Sequence, residues 1–254
     1  MTTPSSHPDA PAPTAAPPRP LPTPLAGGLV FFSAGAVLVL EILAGRILAP
    51  YVGVTLETYS AIIGVVLAGI ASGTWAGGWF ADHVDPRAML GPVLVGGGLL
   101  AIATLPLVRG LAGLAIASPG AGSAVLLLAL FGFFPPAAVL SAVTPTVIKL
   151  QLASLGETGS VVGRLSALGT AGALVGTFAT GFVLVADFAT TPIVLVLGGV
   201  LVAAGLVLAV FLRGGRTRTA GSASGGLAVV LALLTVAAGA LAVGDRCELE
   251  TGYH

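Results

Sequence analysis

Glu41 and Arg46 stand inside one of the most apolar stretches of the chain, AGGLVFFSAGAVLVLEILAGRILAPYVG, which begins at Ala26. A charge at the centre of a bilayer costs about 2.5–3.5 kcal/mol on insertion scales, so an acid placed there needs a compensating role. Two roles compete for Glu41: a structural buried hydrogen bond, or a site for a cationic ligand or a proton. The two residues lie five apart, about 140° round a helix, which is not the spacing of an intrahelical ion pair. Each is therefore expected to find a partner on another helix, or Arg46 to snorkel to the interface. Glu57 opens the next apolar run, where a carboxylate complements the helix dipole. Asp187 closes a later one and is expected to reach the interface.

Other chemistry is hard to find. No Ser-His-Asp set or carboxylate dyad stands out, and His7, His83 and His254 are too scattered to suggest a metal. No glycine cluster ends in the GK[ST] of a P-loop, and no GxGxxG follows a strand. Cys247 is the single cysteine, which excludes an internal disulfide. No cofactor, metal or catalytic machinery is expected in this chain. Its ten Lys/Arg and ten Asp/Glu balance, and the basic residues are dispersed, which argues against a nucleic-acid partner.

The elements that must position these residues follow from composition. Of 254 residues, 56% are hydrophobic and 8% charged, and mean hydropathy is +1.06. Soluble domains carry about 25% charged residues, so this chain cannot cover a water-facing surface and is expected to be integral to a membrane. Abundant Gly and Ala, without polar–apolar alternation, favour helices over a barrel. The predicted fold is an all-α bundle of about seven transmembrane helices: 26–48, 59–80, 88–108, 123–145, 165–186, 191–212 and 226–243. A proline-rich tail (1–24) precedes the six-helix bundle (25–212), and a basic Gly/Ser linker (213–225) leads to the seventh helix. Pro135 and Pro136 should kink helix four. Residues 109–122 are expected to lie along the interface or to extend a neighbouring helix. Residues 144–164 read as a short interfacial helix ending near Leu155, with Lys149 and Arg164 facing the anionic leaflet.

Gly69, Gly73 and Gly77 repeat every four residues on helix two, as do Gly172 and Gly176 on helix five, with Gly169 one turn earlier. Such faces let backbones approach closely where lipid removes any hydrophobic advantage of association. With the N-terminus inside, seven basic residues fall in cytoplasmic segments against three outside, so the positive-inside rule predicts a cytoplasmic N-terminus. Seven spans would then place His254 outside.

Three stretches together carry a family resemblance: LEILAGRILAPYVGVTLETYSAIIGVVLAGIASGTWAGGWFADHVDPR (40–87), SAVTPTVIKLQLASLGETGSVVGRLSALGTAGALVGTFATGFVL (141–184) and CELETGYH (247–254). They resemble the membrane-embedded N-terminal half of bacterial major facilitator–spermidine synthase fusion proteins. The resemblance implies a multi-pass protein of the bacterial plasma membrane whose first six helices are like half of a major facilitator fold. Within the first stretch, GGWFADHVDPR resembles the loop between transporter helices two and three, which implies a cytoplasmic position for Asp82, Asp85 and Arg87. The ending resembles the opening of a spermidine synthase-like domain, in the family a Rossmann-like sheet that binds decarboxylated S-adenosylmethionine and a polyamine. The chain stops before any nucleotide loop or catalytic aspartate, so no family active-site residue carries over to it. The expected function is therefore a membrane domain that anchors or supplies a synthase domain borne elsewhere, on a truncated, split or separate chain. The rivals are a small-molecule or polyamine carrier acting as a homodimer and an inactive truncated product. A synthase domain fed from the cytosol conflicts with a C-terminus outside, and the residues do not decide between the two.

Overall fold

In the computed structural model the described residues are 21–116, 121–152 and 158–213. Most of the predicted tail, nearly all of the linker 213–225, the seventh helix 226–243 and the stub 244–254 lie outside them. The described chain is all-helical: α1 (Thr23–Val52), α2 (Leu56–His83), α3 (Pro86–Ile116), α4 (Ala121–Gly132), α5 (Phe134–Ser141), α6 (Val143–Gln151), α7 (Thr158–Ala179), a π-helical turn (Thr180–Leu184), α8 (Val185–Asp187) and α9 (Thr190–Arg213). These form six helices long and apolar enough to cross a membrane, since α4–α6 make one continuous span and α7–α8 another. The protein is thus a multi-pass, membrane-embedded helical bundle.

Each helix runs past its predicted apolar core. The Thr55 hydroxyl accepts from the Thr58 amide at 3.1 Å and caps α2. Asp85 Oδ1 accepts from the Arg87 amide at 3.0 Å at the head of α3. Gly53, at φ 75°, ends α1 in a conformation that favours glycine. Residues 109–116 extend α3, one of the two outcomes expected for that stretch.

The fourth span breaks where the prolines predicted. Helix is interrupted at Phe133 and restarts at Phe134, and a second irregularity falls at Ala142. Pro136 has no N–H to give to the carbonyl of Gly132. Thr104 of α3, only 1% exposed, supplies the missing donor, its Oγ1 lying 2.9 Å from that oxygen.

One expectation needs correcting. Residues 144–151 are not a separate interfacial helix but the last turns of the fourth span, with Thr146, Val147, Leu150 and Gln151 buried. The polar residues that suggested an interface find partners inside the protein instead. Thr146 Oγ1 donates to Ala142 O at 2.7 Å, and Gln151 Nε2 donates to Leu21 O at 2.8 Å.

Helix pairing is regular. The first span packs chiefly on the fifth, the second on the fourth, and the third on the sixth. Exchanging spans one, two and three for four, five and six reproduces the same pairs, and consecutive crossings make the two triplets run in opposite directions. That is the contact pattern of an inverted repeat. Glycine makes each contact close. A Cβ on Gly73 would overlap Ala138 O, and one on Gly77 would stand 2.6 Å from Ala142 Cα. On the α1–α7 contact, a Cβ on Gly172 would overlap Phe31 O and one on Gly176 would lie 2.6 Å from Gly35 O. Gly69 and Gly169 approach their neighbours less tightly, at 3.0 Å from Phe134 O and 3.2 Å from Val30 Cγ1.

Candidate functional site

The first and fifth spans pack together, as do the second and fourth, but α2 and α7 make no extensive contact with each other. Between them, over the face of α1, lies a cleft of about 270 Å³. Its walls are apolar except for hydroxyls: Ser33 from α1, Thr74 from α2, Ser141 and Thr144 from α5 and α6, and Ser166 and Thr170 from α7. Three of these give their proton to their own helix. Ser33 Oγ donates to Val30 O at 3.2 Å, Ser141 Oγ to Ala137 O at 2.7 Å, and Thr170 Oγ1 to Ser166 O at 3.0 Å. A hydroxyl so engaged keeps its lone pairs for a further partner. At these three positions the cleft offers acceptors, while Thr74, Thr144 and Ser166 can both donate and accept.

Glu41 belongs to the same face of α1. Successive residues turn about 100°, which puts Glu41 within about 20° of Ala34 and between Val37 and Leu38, all three cleft-lining. It stands one turn farther along, toward Gly45, where the Tyr59 ring of α2 closes over the helix. Its side chain is half-buried and has no hydrogen-bond partner among the described residues. A structural buried hydrogen bond, one of the two roles expected from the sequence, is not what the described residues provide.

Arg46 is on a different face. Its Nη1 donates to Val185 O at 3.0 Å, just past the π-helical turn, and the guanidinium is otherwise exposed. Glu41 and Arg46 are thus not brought together. The partner of Arg46 is the carbonyl of another helix. Glu57 sits in the first turn of α2, and its Oε1 lies where a Cβ on Gly122 would be, beside the first turn of α4. Asp187, the last residue of α8, is exposed.

At the opposite end of the bundle, Asp82 of α2 and Lys149 of α6 form a salt bridge, 59% and 49% exposed. Asp85 and Arg87 stand beside it at the start of α3, and Arg164 lies on the exposed side of α7. By alternation of the spans, Arg87, Lys149, Arg164 and Arg213 share the side on which α1 begins, whereas Arg46 and Arg109 approach the other. His83 Nδ1 is 2.7 Å from Trp79 O on its own helix. Among the described residues no group of three or more His, Cys, Asp or Glu side chains is placed to hold a metal.

The cleft hydroxyls were not singled out from the sequence. The signal was present in α7, where Ser166, Thr170 and Thr177 recur on one face of an otherwise apolar helix. Compared with known proteins, the chain matches no family model, no curated protein and no solved structure.

Proposed function

We propose that this chain is the membrane module of a spermidine synthase-like protein, and that its cleft holds a small organic cation of the polyamine class. The observation that carries the solute-binding half of this reading is the cleft itself. Three of its hydroxyls present lone pairs, and the Glu41 carboxylate, without a partner among the described residues, continues its wall one turn away. Amines with several N–H donors and positive charge complement that arrangement. The resemblance of 40–87, 141–184 and 247–254 supports the synthase half, in which the module anchors an aminopropyl-transferring domain or supplies its substrate. The side carrying Arg87, Lys149, Arg164 and Arg213 is then cytoplasmic.

A carrier of the same solutes is the second reading. The pairing of spans one with five, two with four and three with six favours it, since inverted repeats of helices recur among transporters. A second copy then faces the open side of the cleft and completes the path.

Binding of labelled putrescine and spermidine to the purified chain in detergent tests the shared premise. Binding reduced roughly 10- to 100-fold in Glu41→Gln is expected, the range for a lost hydrogen bond to a charged group. Absence of binding, or equal binding in wild type and Glu41→Gln, overturns the site. Flux of the same amines into vesicles containing the chain separates the readings: a carrier shows it and an anchoring module does not.

A further inference from the structure

A second cavity lies on the far side of α1, where an apolar groove of about 330 Å³ runs between α1, the α8–α9 connection and α9. Phe32 and Val39 form one wall, and Phe188, Pro192, Val196 and Val200 the other; no polar atom lines it. Phe32, Val39 and Arg46 recur every seven residues, so they share a stripe that drifts only about 20° per repeat. Arg46 is held at the end of that stripe by its hydrogen bond to Val185 O, the neighbour of the groove residue Leu184. Among the described residues it meets no carboxylate, Asp187 included.

Depth places these groups in a meaningful order. Val200 is near the centre of α9, whereas Pro192 lies about 14 Å from it along the helix axis. Arg46 lies about 13 Å from the centre of α1, which is the edge of a hydrocarbon core about 30 Å thick. The groove therefore opens near mid-bilayer, rises to the interface, and ends beside a guanidinium with donors to spare. We infer that it is a binding site for an anionic phospholipid, one acyl chain lying in the groove and the phosphate paired with Arg46. A guanidinium presents a planar fork of donors that matches phosphate, and lipid headgroups are the phosphates found at that depth. This inference is independent of the proposed amine site, which uses the opposite face of α1.

Native mass spectrometry of the detergent-purified chain tests it, titrating phosphatidylglycerol and phosphatidylcholine of identical acyl composition. One phosphatidylglycerol is expected to bind about fivefold more tightly than phosphatidylcholine, the preference one basic residue gives at a membrane surface. Arg46→Gln should erase that preference, weakening phosphatidylglycerol more than phosphatidylcholine, whose choline already offsets its phosphate charge. Val196→Trp, which fills the groove, should weaken both lipids, whereas Val207→Trp, exposed elsewhere on α9, should weaken neither. The site is overturned if Arg46→Gln keeps the preference, if Val196→Trp binds both lipids as wild type does, or if glycerol 3-phosphate competes as well as the lipid.

Discussion

Glu41 is the residue whose chemistry and packing disagree most. It is half-buried in a helix that crosses the membrane, and no described donor meets it. An acid retained for folding would be stabilising where it stands; one retained for a ligand is expected to destabilise the empty protein. Glu41→Leu should therefore raise stability by about 1–2 kcal/mol, somewhat less than the full insertion-scale cost of a charge because the carboxylate borders the cleft. In thermal melts of the detergent-solubilised protein that is a shift of about 3–6 °C. A fall in Tm would assign Glu41 to the fold and remove it from the amine site. The glycines make the converse case, since their value is the absence of an atom. Gly73→Ala should lower stability by about 1–3 kcal/mol, because its new Cβ overlaps the Ala138 carbonyl and the helices must separate. Gly64→Ala, on the same helix with nothing within 4 Å of its Cβ position, should raise stability by about 0.5–1 kcal/mol through helix propensity alone. Equal shifts for the two variants would show that α2 does not pack on α5 through this face.

Among the elements, the broken fourth span shows what a sequence can and cannot disclose. Two adjacent prolines announce a break, because the lost donor and the ring clash are local properties. The compensating donor is not local: Thr104 lies 28 positions earlier, on α3, and nothing in its neighbours marks it. Thr104→Val should cost about 0.6–1.7 kcal/mol, the range for interhelical hydrogen bonds in membranes. Combining it with Pro136→Ala, which restores an N–H for Gly132 O, should make the threonine change nearly neutral. Chemical denaturation of the four proteins of that cycle measures the coupling, and additive effects would mean that Thr104 serves only its own helix through Leu100 O. The same limit explains the misread segment 144–151. Its polar residues looked interfacial by alternation, whereas Gln151 is buried and finds Leu21, which is distant in sequence. Glycines four apart were legible as packing faces on α2 and α7. Gly91 and Gly98, which approach Gly205 and Gly198 on α9, were not, because seven-residue spacing blends into a background of 37 glycines.

For the molecule as a whole, a membrane location and the first six of the seven expected crossings followed from hydropathy, since bilayer thickness fixes the length of a span whatever the tertiary fold; the seventh, 226–243, lies outside the described residues. The cleft did not follow, because it exists only where α2 and α7 fail to meet over α1, and helix pairing is set by packing rather than by hydropathy. Whether water or acyl chains fill that gap decides the functional reading. Ser166 and Thr170 are exposed on α7 and Thr74 on α2, so lipid there would press against a patch of hydroxyls, while water would solvate them and the Glu41 carboxylate alike. In a background with Cys247 replaced by Ser, single cysteines at Thr74 and Thr170 should react with a membrane-impermeant methanethiosulfonate. A cysteine at Val207, also exposed but on the sixth span, should react at least tenfold more slowly, because a thiol in hydrocarbon is neither ionised nor reached by a charged reagent. Spermidine should protect Thr74→Cys and Thr170→Cys when Glu41 is present and not when it is Gln. Equal, slow labelling at all three positions would place lipid in the cleft and end its claim to hold a cationic solute.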